Sequence, residues 1–285
     1  MAPELVVTIL EKDLVIYSYP LMISLALLAC AVITVILHRI NGISIQRGVL
    51  YIIVVLASAL VFARLSHYLL NPEIYSQSNI SPWVLKPGQF FMYGGYVGGL
   101  TLAALISPCL TGLNGLRALD LTAPGLASTA VFAKMGCFLH GCCFGPPAPP
   151  PLGLPVAEGS RAFLHYQQIW VAENSVSVYR PVDLTLLPVQ MWESIVGLIG
   201  LAMALSLLRR SYQSGTVFFL YFGLFSLARC GLHFLRVDQP SATFQYYVPF
   251  LYLGCAGICA VGLVLVMWKF GNNKESSRDK PYVSI

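Results

Sequence analysis

The chain is short of charge. Of its 285 residues only 10% are Asp, Glu, Lys or Arg, while 57% are hydrophobic; an ordinary soluble domain carries about 25% charged residues. That shortage excludes a soluble globular domain and leaves a polytopic membrane protein. A basic leader is missing as well: Glu4, Glu11, Lys12 and Asp13 precede the first apolar run, so no cleavable signal peptide is expected and the first span is retained. No internal repeat is present, and residues 1–285 read as a single domain. Of the eight cysteines, Cys30, Cys109, Cys230, Cys255 and Cys259 fall inside apolar runs, where such a residue ordinarily just packs. A disulfide framework is therefore not expected.

What is abundant is long hydrophobic sequence. Stretches suited to helical spans of about 20 residues run over Tyr17–Leu37, Gly48–Phe62, Phe91–Leu110, Leu119–Leu139, Leu184–Leu208, Thr216–Leu235 and Tyr247–Met267. The fold class expected is all-α, with about seven transmembrane helices. Arg39, Arg47, Arg117, Arg209, Arg210, Lys269, Lys274, Arg278 and Lys280 fall on one side, and Lys12, Lys86, Arg161 and Arg180 on the other. Basic residues favour the cytoplasmic side, so the N-terminus is expected outside and the C-terminus in the cytoplasm. The net charge of +5 is mostly this cytoplasmic excess. Its tail, 269–285, is free to touch anionic membrane lipids, and nothing in it implies nucleic acid.

The connections are unequal. Those on the outer side, Arg64–Gln89 and Gly141–Val182, run to roughly 25 and 40 residues, a length that points to function. The longer one opens Gly145-Pro146-Pro147-Ala148-Pro149-Pro150-Pro151, which cannot be helical because proline lacks the donor N–H and restricts its predecessor. It is expected to leave as an extended arm, with Phe163, Trp170 and Val171 leaning on the bilayer surface.

Ionisable groups at membrane depth need partners, and they mark the candidate site. Lys134, Cys137 and His140 sit in the run Ala133-Lys134-Met135-Gly136-Cys137-Phe138-Leu139-His140-Gly141-Cys142-Cys143. In the sixth span Arg229, His233 and Arg236 are spaced to share one helix face. Such a strip can grip a phosphate through guanidinium forks; equally, Arg229 can answer Glu193 or Asp120 across the bundle while Arg236 pairs with Asp238. Gln190 and Glu193 share a face one turn apart and can orient an arginine. Gly94, Gly95, Gly98 and Gly99 form overlapping Gly-xxx-Gly pairs, which suit close helix packing or leave room for a headgroup at a helix start. Cys137, His140, Cys142 and Cys143 are zinc-ligand types. They crowd one short run without a second, separated cluster, so no metal and no cofactor is expected. His67 reads as an interfacial residue.

These pieces together resemble the prolipoprotein diacylglyceryl transferases. The resemblance runs over most of the chain, through Tyr19, Ala63-Arg64-Leu65, Tyr93-Gly94-Gly95 with Gly98, Asp120 with Ala123-Pro124, Lys134 to Gly141 with Gly145, Pro188-Val189-Gln190-Met191-Trp192-Glu193, and Arg229 with Arg236. It implies an enzyme of the bacterial inner membrane that moves the diacylglyceryl group of phosphatidylglycerol onto the lipobox cysteine thiol of a prolipoprotein precursor, releasing glycerol phosphate. Lys134, Arg64, Arg229 and Arg236 then form the anion-binding group. Gly94 and Gly95 give headgroup access, Gln190 and Glu193 hold the arginines, Tyr19 lies at the substrate, and Asp120 has a structural role at the cytoplasmic end of the fourth span.

The chain departs from the family pattern at several points. Tyr93 stands where the best-studied members have histidine, and a phenol is a poor base near neutrality. Lys134 keeps the charge of the motif arginine without its bidentate fork. Cys137 replaces an asparagine, Leu187 a histidine, and His140 and His233 are new. Proton transfer is therefore expected to have moved to His140 or His233, with Tyr93 shaping the pocket. The alternatives are a diverged relative acting on another lipid or acceptor, and a non-enzymatic lipid-binding carrier.

Overall fold

The structure, a computed structural model, describes residues 4–9, 12–78, 81, 90–174, 184–210, 213–237 and 242–272. Lys86, Arg180, Asp238 and the basic tail beyond Asn272 lie outside the described residues, as do the side chains of Trp170 and Val171. A hairpin of β1 (Glu4–Ile9) and β2 (Lys12–Tyr17), in antiparallel register from Glu4↔Tyr17 to Ile9↔Lys12, leads into the first helix. Then come α1 (Ser18–Ile40), α2 (Ile45–Leu70), the short α3 (Pro72–Ser78), α4 (Met92–Thr111) and α5 (Gly115–His140). A connecting segment holds β3 (Leu154–Pro155), α6 (Arg161–Asn174) and β4 (Thr185–Leu186), before α7 (Val189–Leu208), α8 (Thr216–His233) and α9 (Ala242–Asn272).

The expected helical membrane fold stands, with one adjustment. Among the described residues, six helices are long and apolar enough to cross a membrane: α1, α2, α4, α7, α8 and the Tyr246–Lys269 part of α9. The seventh expected span, α5, has 26 residues and hence length enough, at about 1.5 Å per residue, yet falls short on hydropathy. The reason is its position. It packs against α1, α4, α7 and α8 and buries Ala118, Ala123, Gly125, Ala127, Ser128, Ala130, Ala133 and Gly136, so it faces protein where the others face lipid. Small residues let neighbouring backbones close on it: a β-carbon on Gly125 would lie 2.9 Å from the Cys30 carbonyl oxygen of α1, and one on Gly197 of α7 would lie 3.0 Å from the Val131 amide.

Helix ends differ from the hydropathy boundaries for local reasons. The second span reads as short because Arg64 and His67 interrupt its apolar run, but α2 continues through both to Leu70, capped at its start by the Ser44 side chain. Arg64 is thus buried in a helix and does not open a loop. The sixth span stops at His233, so Arg236 is off the helix, carried by one tighter turn in which the Leu235 and Arg236 amides bond to Leu232 and His233.

The long connection is not an extended arm. Its proline run is non-helical, as expected, but it folds back on the entry to α7. The Gly145 amide donates to Leu187, the Leu187 amide to Pro146, the Ala148 amide to Thr185 and the Val156 amide to Leu184. Phe144, Ala162 and Leu186 make a small core beneath α6. Phe163 is 7% exposed, buried in protein and not laid on the bilayer.

Candidate functional site

At one end of α5, Asp120 is fully buried, and its two carboxylate oxygens accept the Gly215 and Phe218 amides at 2.7 Å each. These are unpaired donors of the first turn of α8, following Gly215 in the left-handed region at φ 98°. Asp120 is a cap supplied across the bundle, and no arginine answers it in those bonds.

Near the other end stands an ion cluster. The Lys134 ammonium lies 2.5 Å from Glu193 Oε2, and Arg229 Nη1 pairs with Glu193 Oε1. Three helices, α5, α7 and α8, each contribute one residue. Lys134 and Arg229 bring two positive charges against the single negative charge of Glu193, which leaves one in excess. Arg229 Nη2 also donates to the Tyr252 hydroxyl at 3.2 Å, with its guanidinium 5.5 Å from that ring's centroid. The Tyr93 ring lies tilted against Tyr252 with centroids 4.5 Å apart, and His233 meets it edge-on at 5.8 Å. Tyr93 and His233 are therefore part of the wall behind Arg229.

A second group adjoins the first. The end of α5 turns at Gly141 (φ 76°), with the Cys142 amide on the Cys137 carbonyl and the Gly141 amide on Phe138. Cys143 also takes a left-handed backbone, φ 60°. The sulfur atoms of Cys137, Cys142 and Cys143 consequently lie within 4.8 Å of one another. The turn gathers thiols that linear spacing suggested were too crowded to act together. Arg236 Nη2 donates to Cys143 Sγ at 3.1 Å. Hydrogen bonds from the Cys137 and Cys142 thiols, aided by the charges of Lys134 and Arg236, hold the Cys143 thiol well below the ordinary range against the effect of burial. Lys134 is within electrostatic reach of Arg229, Arg236, Cys137 and Cys143, so the cations of α5, α8 and the turn after α8 converge on one region.

The remaining candidates divide. His140, closing α5, packs its ring at a tilt against Tyr19 of α1, centroids 5.6 Å apart, and Tyr19 lies within electrostatic reach of the three cysteines. Gln190 donates to the Cys142 carbonyl at 2.8 Å; it holds the cysteine turn and not an arginine. Arg64 has different neighbours, its guanidinium 5.2 Å from the Tyr75 ring and 5.7 Å from Phe90. Gly94 and Gly95 press α4 onto α2: a β-carbon on Gly94 would lie 2.3 Å from Ser66 Cβ, and one on Gly95 2.7 Å from the Ala59 carbonyl oxygen. Their smallness is consumed by helix contact. Gly95 still borders an apolar cavity of about 480 Å³ bounded also by Tyr19, Phe90, Tyr96, Thr129 and Ala133, one residue from Lys134. His67 bonds to the Tyr75 hydroxyl at 2.8 Å.

Sequence reasoning missed Tyr252, for which an apolar helix gives no signal. It also missed the thiol cluster. Its clue was the turn signal at Gly141, between Cys137 and Cys142, which lie five residues apart and meet across the helix end.

Comparison with known proteins points to one family. The family model described as prolipoprotein diacylglyceryl transferase matches residues 5–268. A phosphatidylglycerol–prolipoprotein diacylglyceryl transferase of Clostridium tetani is 27% identical over 227 residues, covering 78% of this chain and 82% of that protein. One of Dehalococcoides mccartyi is 26% identical over 276 residues, 94% of each chain.

Proposed function

Because the chain belongs to the prolipoprotein diacylglyceryl transferase family, we propose that it transfers the diacylglyceryl group of phosphatidylglycerol to the cysteine thiol of a lipobox-bearing precursor. The observation that carries this reading is the cluster Lys134–Glu193–Arg229, with its excess positive charge, together with an apolar cavity of about 480 Å³ lined by Ala133, the residue before Lys134, and by Tyr96, which lies within electrostatic reach of Lys134 and Arg229. A phospholipid presents the complementary chemistry, an anionic phosphodiester joined to two hydrocarbon chains.

The acceptor sulfur attacks the glycerol carbon that bears the phosphate ester. A carbon–sulfur bond forms, the carbon–oxygen bond breaks, and the electron pair leaves on glycerol phosphate. Developing charge on that oxygen is stabilised by cations already in place. Arg229 is held by Glu193 on one nitrogen and by Tyr252 on another, so it is oriented before substrate arrives. Glu193 acts as a positioning residue. The thiol proton passes to His140 or His233, imidazoles suited to proton exchange near neutrality, while Tyr93, a phenol that like His233 lies against Tyr252, shapes the wall. Arg64, away from these contacts, serves the lipid near Phe90. The substrates fit a multi-pass protein of the bacterial inner membrane whose N-terminus is outside and whose C-terminal tail is cytoplasmic.

Purified protein mixed with phosphatidylglycerol vesicles and a lipobox peptide is expected to release glycerol phosphate and add one diacylglyceryl mass to the peptide. Peptide left unmodified under conditions where a known transferase modifies it overturns the reading.

A further inference from the structure

The end of α5 gathers three thiols, Cys137, Cys142 and Cys143. Its cause is a helix-terminating turn in which the Gly141 amide bonds to Phe138 and the Cys142 amide bonds to Cys137. That pattern apposes the side chains at the positions held by Cys137 and Cys142, ordinarily an apolar pair. Cys143 follows at φ 60°, a conformation that a residue with a β-carbon keeps only where its surroundings impose it. Here the surroundings include the Arg236 guanidinium on its sulfur at 3.1 Å and fully buried Gln190 on the Cys142 carbonyl at 2.8 Å.

All three sulfurs lie within 4.8 Å of one another. Thiolates bound to one zinc-sized ion at about 2.3 Å are separated by about 4 Å, so closing the trio on an ion takes only small side-chain shifts. Three thiolates with a divalent cation carry one net negative charge, and Arg236 stands against it. Zinc that serves catalysis commonly has three protein ligands and one exchangeable position. Cys143 is half-buried and Cys137 and Cys142 are buried, which leaves the approach on the Cys143 side, where Arg236 and Lys134 lie.

We propose that Cys137, Cys142 and Cys143 bind a thiophilic divalent cation of the zinc class, whose fourth position takes the acceptor cysteine thiol. The proposal rests on the transferase reading for the identity of that fourth ligand, and on the geometry alone for the three-thiol site. The coordinated thiol gives up its proton to His140 or water. Its sulfur then forms the bond to the glycerol carbon as the carbon–oxygen bond breaks toward glycerol phosphate, and the thioether product, a weaker donor, departs. No electron is gained or lost overall. Such a site supplies a thiolate without a strong base at position 93, where this chain has Tyr93.

The test uses the full-length protein in detergent, stripped with a strong chelator and reconstituted with one equivalent of zinc or of cobalt(II) as a spectroscopic probe. One metal per chain, with thiolate-to-cobalt charge-transfer absorption, is expected. Cys137→Ser, Cys142→Ser and Cys143→Ser should each weaken retention at least tenfold, while Cys109→Ser, at an exposed position elsewhere, should leave it unchanged. Adding lipobox peptide should shift the cobalt bands, and a peptide with serine for cysteine should not. Full transferase activity in metal-free wild-type protein overturns the proposal and leaves the transferase reading intact, as does a native Cys137–Cys142 disulfide with no metal retained. Metal binding and a peptide-dependent shift without glycerol phosphate release sinks the transferase reading and upholds the cation site.

Discussion

The two ends of α5 each hold a buried carboxylate, and the contrast between them separates architecture from chemistry. Asp120 accepts the Gly215 and Phe218 backbone amides at the start of α8, both at 2.7 Å, donors of a helix first turn that have no partner within their own helix. Glu193, packed near the opposite end, is shared by Lys134 and Arg229. Burying ions without partners is costly in either place, and the second arrangement sets two cations against one carboxylate. A carboxylate that caps the first turn of a neighbouring helix fastens the two helices together. One outnumbered by cations leaves those cations able to engage an incoming anion.

Four substitutions break or sharpen this contrast. Arg229→Gln removes the surplus and one oriented donor, and should lower kcat by about 10²–10³-fold while Lys134 keeps Glu193 paired; an unfolding temperature that falls with no loss in kcat of the folded fraction would make the two ends alike. Asp120→Ala strands two buried amides and should cost about 2–5 kcal/mol of stability, read from denaturant titration in detergent, with kcat per folded molecule unchanged. His140→Gln and His233→Gln, assayed separately, should include at least one loss of about 10²-fold; activity retained in both single variants removes histidine from the proton path. Lys134→Arg restores a planar fork at the cation cluster and should change activity by no more than about tenfold, with the effect mainly in KM, whereas Lys134→Met should resemble Arg229→Gln.

Much of this was legible in sequence, for a physical reason that also explains what was not. Lys134, Glu193 and Arg229 could be singled out because each interrupts an apolar run, and an ion at membrane depth must find a counterpart. Hydropathy misplaced helix ends for the same reason: Arg64 looked like a boundary but is a buried residue of α2, and Leu184–Leu187 looked like span but forms the strand segment before α7. Glycine in a helix says that something comes close without saying what. At Gly94 and Gly95 the neighbour is α2, and Gly95 also borders the apolar cavity. Tyr252 was invisible because its meaning lies wholly in Arg229 and Tyr93, which come from other segments.

The paired stretch that ties Gly145, Pro146 and Ala148 to Thr185 and Leu187 also bears on how such a protein can vary over evolutionary time. It closes the base of the excursion within a few residues of both Cys143 and Gln190. Lengthening a flexible loop beyond a closed base costs only about 0.6 kcal/mol for each doubling, and the junction absorbs the change before it reaches either helix. What lies past that junction can be shortened, extended or exchanged like a cassette, leaving the placement of α5 against α7 as it was.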